Sequence, residues 1–262
     1  VTQPTPARTT QPAITQAAPA RTTQPVTTQA GGSPFFTGNG GRGMSLAILE
    51  PTPFMVNGVR VTAIGDGVFQ GRGLTSVTIP DTVISIGNNA FRGNPLTEII
   101  LPGSVTVIGA NAFYGRVWGS GQGQLRSVEI PDSVTSIGNG AFQGNQLTSV
   151  TIPDSVTVIG SDAFSSNRLT SVTIGNNVTA IYNNAFIRNQ LTSITIPDSV
   201  RTIGVGAFRH LGNISIGANV DLGIDRVGSE AFCRSFRDFY TQNGRRAGTY
   251  LWSGNTWTFT PR

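Results

Sequence analysis

The chain has 262 residues, of which only 12% are charged and 38% are hydrophobic, with 33 glycines. That charge share is about half the usual one, so the surface must be built from Thr, Ser, Asn and Gln around a core the apolar fraction can fill. One Cys and one His exclude a disulfide framework, a zinc cage and most His-dependent catalysis, and all 18 basic residues are Arg against 13 acids, for a net charge of +5.

Residues 1–34 differ in kind from the rest of the chain. Pro6 to Ala17 recurs, nearly unchanged, from Pro19 to Ala30, a low-complexity repeat with almost no large apolar side chains. Such a segment cannot offset the roughly 1–2 kcal/mol per residue that ordering its backbone costs. It is expected to be a disordered Pro/Thr/Gln-rich linker that acts as a spacer. The start at Val1 reads as a mature form or a fragment. No run of 18 apolar residues suggests a membrane span.

Residues 35–58 are expected to form an N-terminal cap. Ser45 to Leu49 reads as a strand, and Phe54-Met55-Val56 and Val59-Arg60-Val61 flank Asn57-Gly58, a strong hairpin signal.

From residue 59 to 228 the chain repeats itself. Phenylalanines fall at Phe69, Phe91, Phe113, Phe142, Phe164, Phe186, Phe208 and Phe232, mostly 22 residues apart, and leucines keep the same beat from Leu74 to Leu211. In one copy, Ser149 to Ile152 alternates polar and apolar as a half-buried strand does. Pro153 ends the strand, Asp154 and Ser155 supply turn chemistry, and a second extended stretch from Val156 to Ile159 stops at Gly160. Ala163-Phe164 sits in a turn, and Asn167 suits a left-handed position closing the coil. Leu147, Val150, Ile152, Val156, Ile159, Ala163 and Phe164 should point inward. Seven buried side chains at roughly 1.5–3 kcal/mol each cannot offset the ordering of 22 residues, so copies must stack into a solenoid. The period and the L-x-x-V-x-I opening fall in the leucine-rich repeat range.

The expected fold is therefore a β-rich solenoid: a right-handed leucine-rich repeat coil of about eight 22-residue repeats with a parallel concave sheet. Residues 229–262 should cap it with a helix and a hairpin. Phe232, Phe236, Phe239 and Tyr240 mark the helix, which ends at Asn243-Gly244. Gly248 to Trp252 and Thr256 to Phe259 mark the hairpin. Trp252 and Trp257 read either as cap packing or as a sugar-stacking pair.

The pattern L-x-x-V-x-I-P-x-x-V-x-x-I-G-x-x-A-F from Leu74 to Phe232 resembles the BspA-like, treponemal-type leucine-rich repeat family. The resemblance implies a bacterial surface or secreted protein acting in adhesion or in host or community interaction. Many repeats of that family carry Cys three residues after the Phe; here Asn94, Arg116, Asn145, Asn167 and Asn189 stand instead.

Outward strand positions form a lawn of hydroxyls, Ser at Leu+2 and Thr at Leu+4. Aligned Ser and Thr also resemble ice-binding faces, although β-branched Thr simply favours strands. The lawn is interrupted by Glu98 and Glu129 on adjacent coils, with Arg126 beside them. The one long insertion, Gly115 to Gln124, leads into the same strand and carries Trp118, which has no core duty. A Trp beside Arg and two carboxylates suits protein or glycan recognition. The carboxylates could also form a glycosidase pair, but no shielded cleft or supporting group is evident, so no enzyme is expected. Arg72, Arg92, Arg116, Arg168, Arg188 and Arg209 lie in the loops between Phe and the next Leu. Asp81, Asp132, Asp154 and Asp198 follow the strand-ending Pro. These loops should form a basic rim and an acidic rim on opposite edges.

The functional expectation is a secreted or cell-surface protein that binds an extracellular protein or an anionic polysaccharide through its concave sheet and Arg rim. Nucleic acid fits poorly, since no aromatics interleave the Arg. No metal or cofactor is implied, and His210 and Cys233 are given no functional role. Two other classes stay open, a structural or self-assembling surface protein and a glycan-active enzyme using Glu98 and Glu129.

Overall fold

The computed structural model describes residues 24–26, 44–47, 55–56, 59–115, 123–208, 211–222, 234–253 and 255–262. Four strands precede the repeats: β1 (Gln24–Val26), β2 (Met44–Ala47), β3 (Met55–Val56) and β4 (Val59–Ile64). The repeats continue with β5 (Leu74–Thr78), β6 (Ser85–Ile86), β7 (Val107–Ile108) and β8 (Ser136–Ile137). Each later coil carries two strands: β9 (Ser149–Thr151) and β10 (Val158–Ile159), β11 (Ser171–Thr173) and β12 (Ala180–Ile181). Next come β13 (Ser193–Thr195) and β14 (Thr202–Ile203), then β15 (Asn213–Ile216) and β16 (Asp221–Leu222). Helix α1 (Arg234–Gln242) and the hairpin β17 (Gly248–Ser253) and β18 (Thr256–Pro261) end the chain.

The result is a parallel solenoid of about seven turns. The stretch that zips it is not the one the Leu-x-x-Val-x-Ile motif suggests. The continuous ladder runs β1-β4-β6-β7-β8-β10-β12-β14-β16, with β3 pairing on β4, and is made of the Val-x-x-Ile stretches. Its register is strict: Ile86 pairs Ile108, Ile108 pairs Ile137, and Ile159 pairs Ile181. The first stretches pair only in pieces, as β2-β5, β9-β11 and β13-β15-β17-β18, with one further bridge between Thr78 and Ile100.

Glycine follows the second stretch in most coils, although Tyr182 stands there in a coil that keeps its place in the ladder. A Cβ on Gly109 would lie 2.6 Å from the carbonyl carbon of Gly87, and one on Gly138 or Gly160 would meet the glycine one coil back at the same distance. At these glycines successive backbones touch. In the first stretches on either side of the insertion, Leu96–Leu101 and Leu125–Ile130, no strand of two or more residues forms.

One core runs the length of the stack, and every residue expected to point inward in the copy from Leu147 to Phe164 is buried. Its axis is a file of seven phenylalanine rings from Phe69 to Phe208. Neighbouring centroids lie 5.1–5.5 Å apart and the planes within 15° of parallel. Offset aromatic contact at this spacing adds to the burial term.

Asparagine plays a different part from the expected one. The left-handed residue is Ser166, with φ 55°, while Asn167 is buried. Its Nδ2 donates to the carbonyls of Phe142 and Phe164, both at 3.0 Å, and its Oδ1 accepts the amide of Leu147 at 3.1 Å. Asn94, Asn145 and Asn189 likewise donate to the Phe carbonyls of their own and the preceding coil. Four of the residues that stand where related repeats carry Cys, Asn94, Asn145, Asn167 and Asn189, thus form internal links that join coils. On the opposite edge Ser104, Ser133, Ser155 and Ser199 each donate to a carbonyl one coil back, at 2.6–2.7 Å. Ser155 is therefore a coil-to-coil link as well as a turn residue.

Hairpins stand at both ends of the stack. β3 and β4 pair as one before the repeats. At the other end β17 pairs antiparallel with β15 and with β18, so the hairpin closes the first-stretch sheet. Tyr240 on α1 donates to the Gly217 carbonyl at 2.7 Å and accepts the Val220 amide at 3.2 Å. Burial raises the Tyr240 hydroxyl pKa and, with Tyr240 nearby, pushes that of Tyr250 up to about 12. Gln24–Val26, inside the stretch expected as a linker, lies as β1 beside β4. The rest of 1–34, the turn at Asn57-Gly58, and His210, Phe232 and Cys233 lie outside the described residues.

Candidate functional site

In coils where the first stretch forms a strand, burial alternates: Val150 is buried while Ser149 and Thr151 are exposed. Ser149 and Thr151 pair directly with Ser171 and Thr173, and Ser193 and Thr195 with Asn213 and Ser215. The hydroxyl lawn is therefore real. The hairpin also extends it, because Thr249 and Leu251 pair with Thr260 and Thr258 as well as with Ser215 and Asn213.

Glu98, Arg126 and Glu129 are all exposed on this face. They occupy three different columns: Glu98 at Leu+2, Arg126 at Leu+1 and Glu129 at Leu+4. None forms a hydrogen bond or ion pair through its side chain with a described residue. The Leu+4 column also contains Ile100, which is 78% exposed where other coils carry Thr or Ser. Sequence reasoning gives Ile100 no role, and its one signal is an aliphatic residue in a hydroxyl column. Ile100, Glu98, Arg126 and Glu129 together form one mixed patch on two adjacent coils.

The residues that bound the insertion, Gly115 and Gly123, meet at close quarters. A Cβ on Gly115 would collide with the Asn145 carboxamide and the Gly123 Cα, and one on Gly123 with the same carboxamide and the Gly115 Cα. The two glycines donate to the carbonyls of Gln143 and Gly144, at 2.9 and 2.8 Å. Gly123 thus takes the place in the frame that would come after Gly115, and residues 116–122 stand outside the 22-residue repeat. Trp118 and Arg116 belong to that segment and, like Arg209, lie outside the described residues.

The remaining Arg residues lie on the edge before the first stretch, at positions one to four after the Phe. Arg72, Arg168 and Arg188 are exposed. Arg92 is half-buried, donates to Asn89 at 3.2 Å and lies over the Tyr114 ring at 4.7 Å. Arg188 holds φ 57° at a position where Gly71, Gly93 and Gly144 also have positive φ. The four Asp residues after Pro are exposed at the far end of the same strands. Each turn closes through a Val amide on the Pro carbonyl, as from Val156 to Pro153 at 3.1 Å.

The tryptophan pair is divided. Trp257 is buried against Phe236 in the cap, while Trp252, 5.3 Å from Trp257, remains 39% exposed. An open cavity of about 400 Å³ between β16 and α1 is lined by Asp221, Arg237, Asp238 and Arg245, and Arg237 and Asp238 pair at 2.6 Å. Among the described residues no group of three or more His, Cys, Asp or Glu could hold a metal ion, and no helix is long and apolar enough to cross a membrane.

No curated protein matches the chain. Among solved structures it is similar to a leucine-rich repeat protein from Bacteroides ovatus, at 25% identity and TM-score 0.41, covering 67% of this chain and 58% of that one. It is also similar to a leucine rich cell surface protein from Faecalibacterium prausnitzii, at 24% identity and TM-score 0.44, covering 86% and 55%. A third likeness is to the pneumococcal vaccine antigen PcpA, at 22% identity and TM-score 0.40, covering 72% and 44%. The chain thus spans little more than half the length of the first two. The family model for the BspA type leucine rich repeat region matches residues 60–117 and 120–237 in six copies. With the repeat, the stacked core and this match in agreement, the chain belongs to the BspA-type leucine-rich repeat family.

Proposed function

We propose that this chain is a secreted or cell-surface binding protein rather than an enzyme. Its specific contact is the patch of Glu98, Ile100, Arg126 and Glu129, and its partner is an extracellular protein or an anionic polysaccharide. The observation that carries the reading is Ile100: an aliphatic side chain 78% exposed, in a column where most coils carry Thr or Ser, on the face that also bears Glu98, Arg126 and Glu129. An apolar anchor with a charged rim is the arrangement that concentrates binding energy. Trp118, next to the patch in sequence, joins the reading as a second anchor. Arg72, Arg92, Arg116, Arg168, Arg188 and Arg209 would add long-range attraction for an anionic ligand. The rigid stack lets such contacts form with little ordering cost. The two carboxylates lie open to solvent in different columns, which suits recognition better than general acid–base work.

The test is binding of the 262-residue protein to a panel of mucins, matrix proteins and anionic polysaccharides at low and physiological salt. The variants are Ile100→Thr with Arg126→Gln, and Trp118→Ala. Outward substitutions should leave the thermal midpoint nearly unchanged and weaken binding at physiological salt about tenfold or more. Binding that ignores these variants and vanishes with salt would move the contact to the Arg edge. Turnover of a glycan that is lost in Glu129→Gln would sink the non-enzymatic reading.

A further inference from the structure

The loops and turns at the two edges of this solenoid differ in charge, although Asp162 lies near Arg188 on one side and Arg201 donates to the Asp198 carbonyl on the other. Among the described residues, the loops before the first stretch carry Arg72, Arg92, Arg168 and Arg188 and no acid. The turns that close that stretch carry Asp81, Asp132, Asp154 and Asp198 and no base. The two sets stand at opposite ends of the same six-residue stretches, about 20 Å apart. Turn chemistry explains the Asp residues. It does not extend to Arg188, which sits in a left-handed conformation at a position that three other coils fill with glycine and one with Ser166.

We infer that copies of this chain associate side by side, the basic edge of one against the acidic edge of the next. This goes beyond the ligand patch and uses different residues. Both edges belong to one stack, so they share one pitch of about 4.8 Å per coil. A second copy is thus commensurate with the first without any adjustment. Asp132 and Asp154 lie on adjacent coils, and so do Arg168 and Arg188. An offset of two coils, about 10 Å, sets the first pair opposite the second pair of the neighbour. All four side chains are exposed. The acidic edge already accepts a guanidinium in this structure: Arg262 reaches Asp198 at 2.8 Å and donates to Ser215 at 2.8 Å. Because the two contacting edges are different surfaces, the association is heterologous, and copies related by side-by-side translation build an open array. Each exposed ion pair contributes little, so assembly rests on the number of pairs and on low ionic strength.

Sedimentation velocity and light scattering of the full chain over a range of concentrations test this. The expected result is a mass that rises with concentration at low salt and falls to that of the monomer at high salt. A variant with Arg168→Asp and Arg188→Asp has two acidic edges, and one with Asp132→Arg and Asp154→Arg has two basic edges. Each should stay monomeric alone, and their equimolar mixture should assemble. Matching circular dichroism and thermal midpoints check the fold, and the milder pair Arg168→Gln and Arg188→Gln should weaken association about tenfold. The Ile100→Thr and Arg126→Gln variant should assemble like the parent, which separates this inference from the ligand patch. A monomer at every concentration at low salt overturns it, as does assembly by the charge-reversed variants alone.

Discussion

In each coil the Leu-x-x-Val-x-Ile stretch and the Val-x-x-Ile-Gly stretch have similar lengths and similar apolar residues. One nevertheless falls into separate pieces, while the other pairs without a break from β1 to β16. The residue at the end of each differs in most coils: proline usually follows the first stretch and glycine the second, with Gly175, Gly217 and Tyr182 as exceptions. Where glycine stands after the second stretch, backbone lies on backbone. The lesson is a division of labour: the continuous ladder holds the stack together, and the interrupted first stretches are where Glu98, Ile100, Arg126 and Glu129 occur.

The largest effect should come from the glycines after the second stretch. Gly138→Val places a side chain against the backbone of Gly109 and Ala110, 2.6 Å away, where no flexible group can yield. A loss of about 4 kcal/mol or more, or a urea transition split in two, is expected in equilibrium unfolding. A loss below about 1 kcal/mol would show that the coils can part there.

Next come the asparagine links. Asn167→Ala leaves the buried Leu147 amide without its acceptor and removes one of the two asparagine donors from the Phe142 and Phe164 carbonyls, which keep Asn145 and Asn189, at about 1–3 kcal/mol. Denaturant unfolding reads this directly. Asn167→Cys, the residue of related repeats, should recover part of it if the position tolerates a small buried side chain.

The smallest effect is at Asp162, where φ is 56° and other coils carry Asn or Gly. Burial raises its carboxyl pKa above the usual value, and the nearby Ser165, Arg188 and Asn184 oppose that rise only in part. The folded state therefore holds this proton more tightly than the unfolded chain. Its contribution is full below the unfolded value near 4 and is lost as pH rises through the folded value. Asp162→Asn should raise the thermal midpoint by about 1–2 °C at neutral pH and by less in acid. Equal shifts at both pH values would assign the gain to backbone preference alone.

Much of this architecture is legible in the sequence, because a strict period repeats each signal many times. The beat of Phe and Leu gives the coil, and the inward set from Leu147 to Phe164 is buried as the alternation requires. Asn57-Gly58 and the aromatic spacing from Phe236 to Tyr240 give the caps. The place of the ladder is harder to read, because strand propensity marks both stretches, whereas close backbone approach leaves only a glycine as its trace. The role of Asn167 is hidden because its partners, Phe142 and Leu147, are set beside it only by the stacking of coils. At the candidate site the charged interruption is visible, but the exposure of Ile100 depends on which face of the coil turns outward.

The close approach of Gly115 and Gly123 has a consequence for how this protein can change. Because the coil closes across those two residues, whatever lies between them is read by the stack as a parenthesis. Its length does not alter the rise or the register of the next coil. Lengthening such a loop adds only about 0.6 kcal/mol per doubling. This position can therefore exchange one sequence for another, in evolution or in the laboratory, while the solenoid beneath it stays the same.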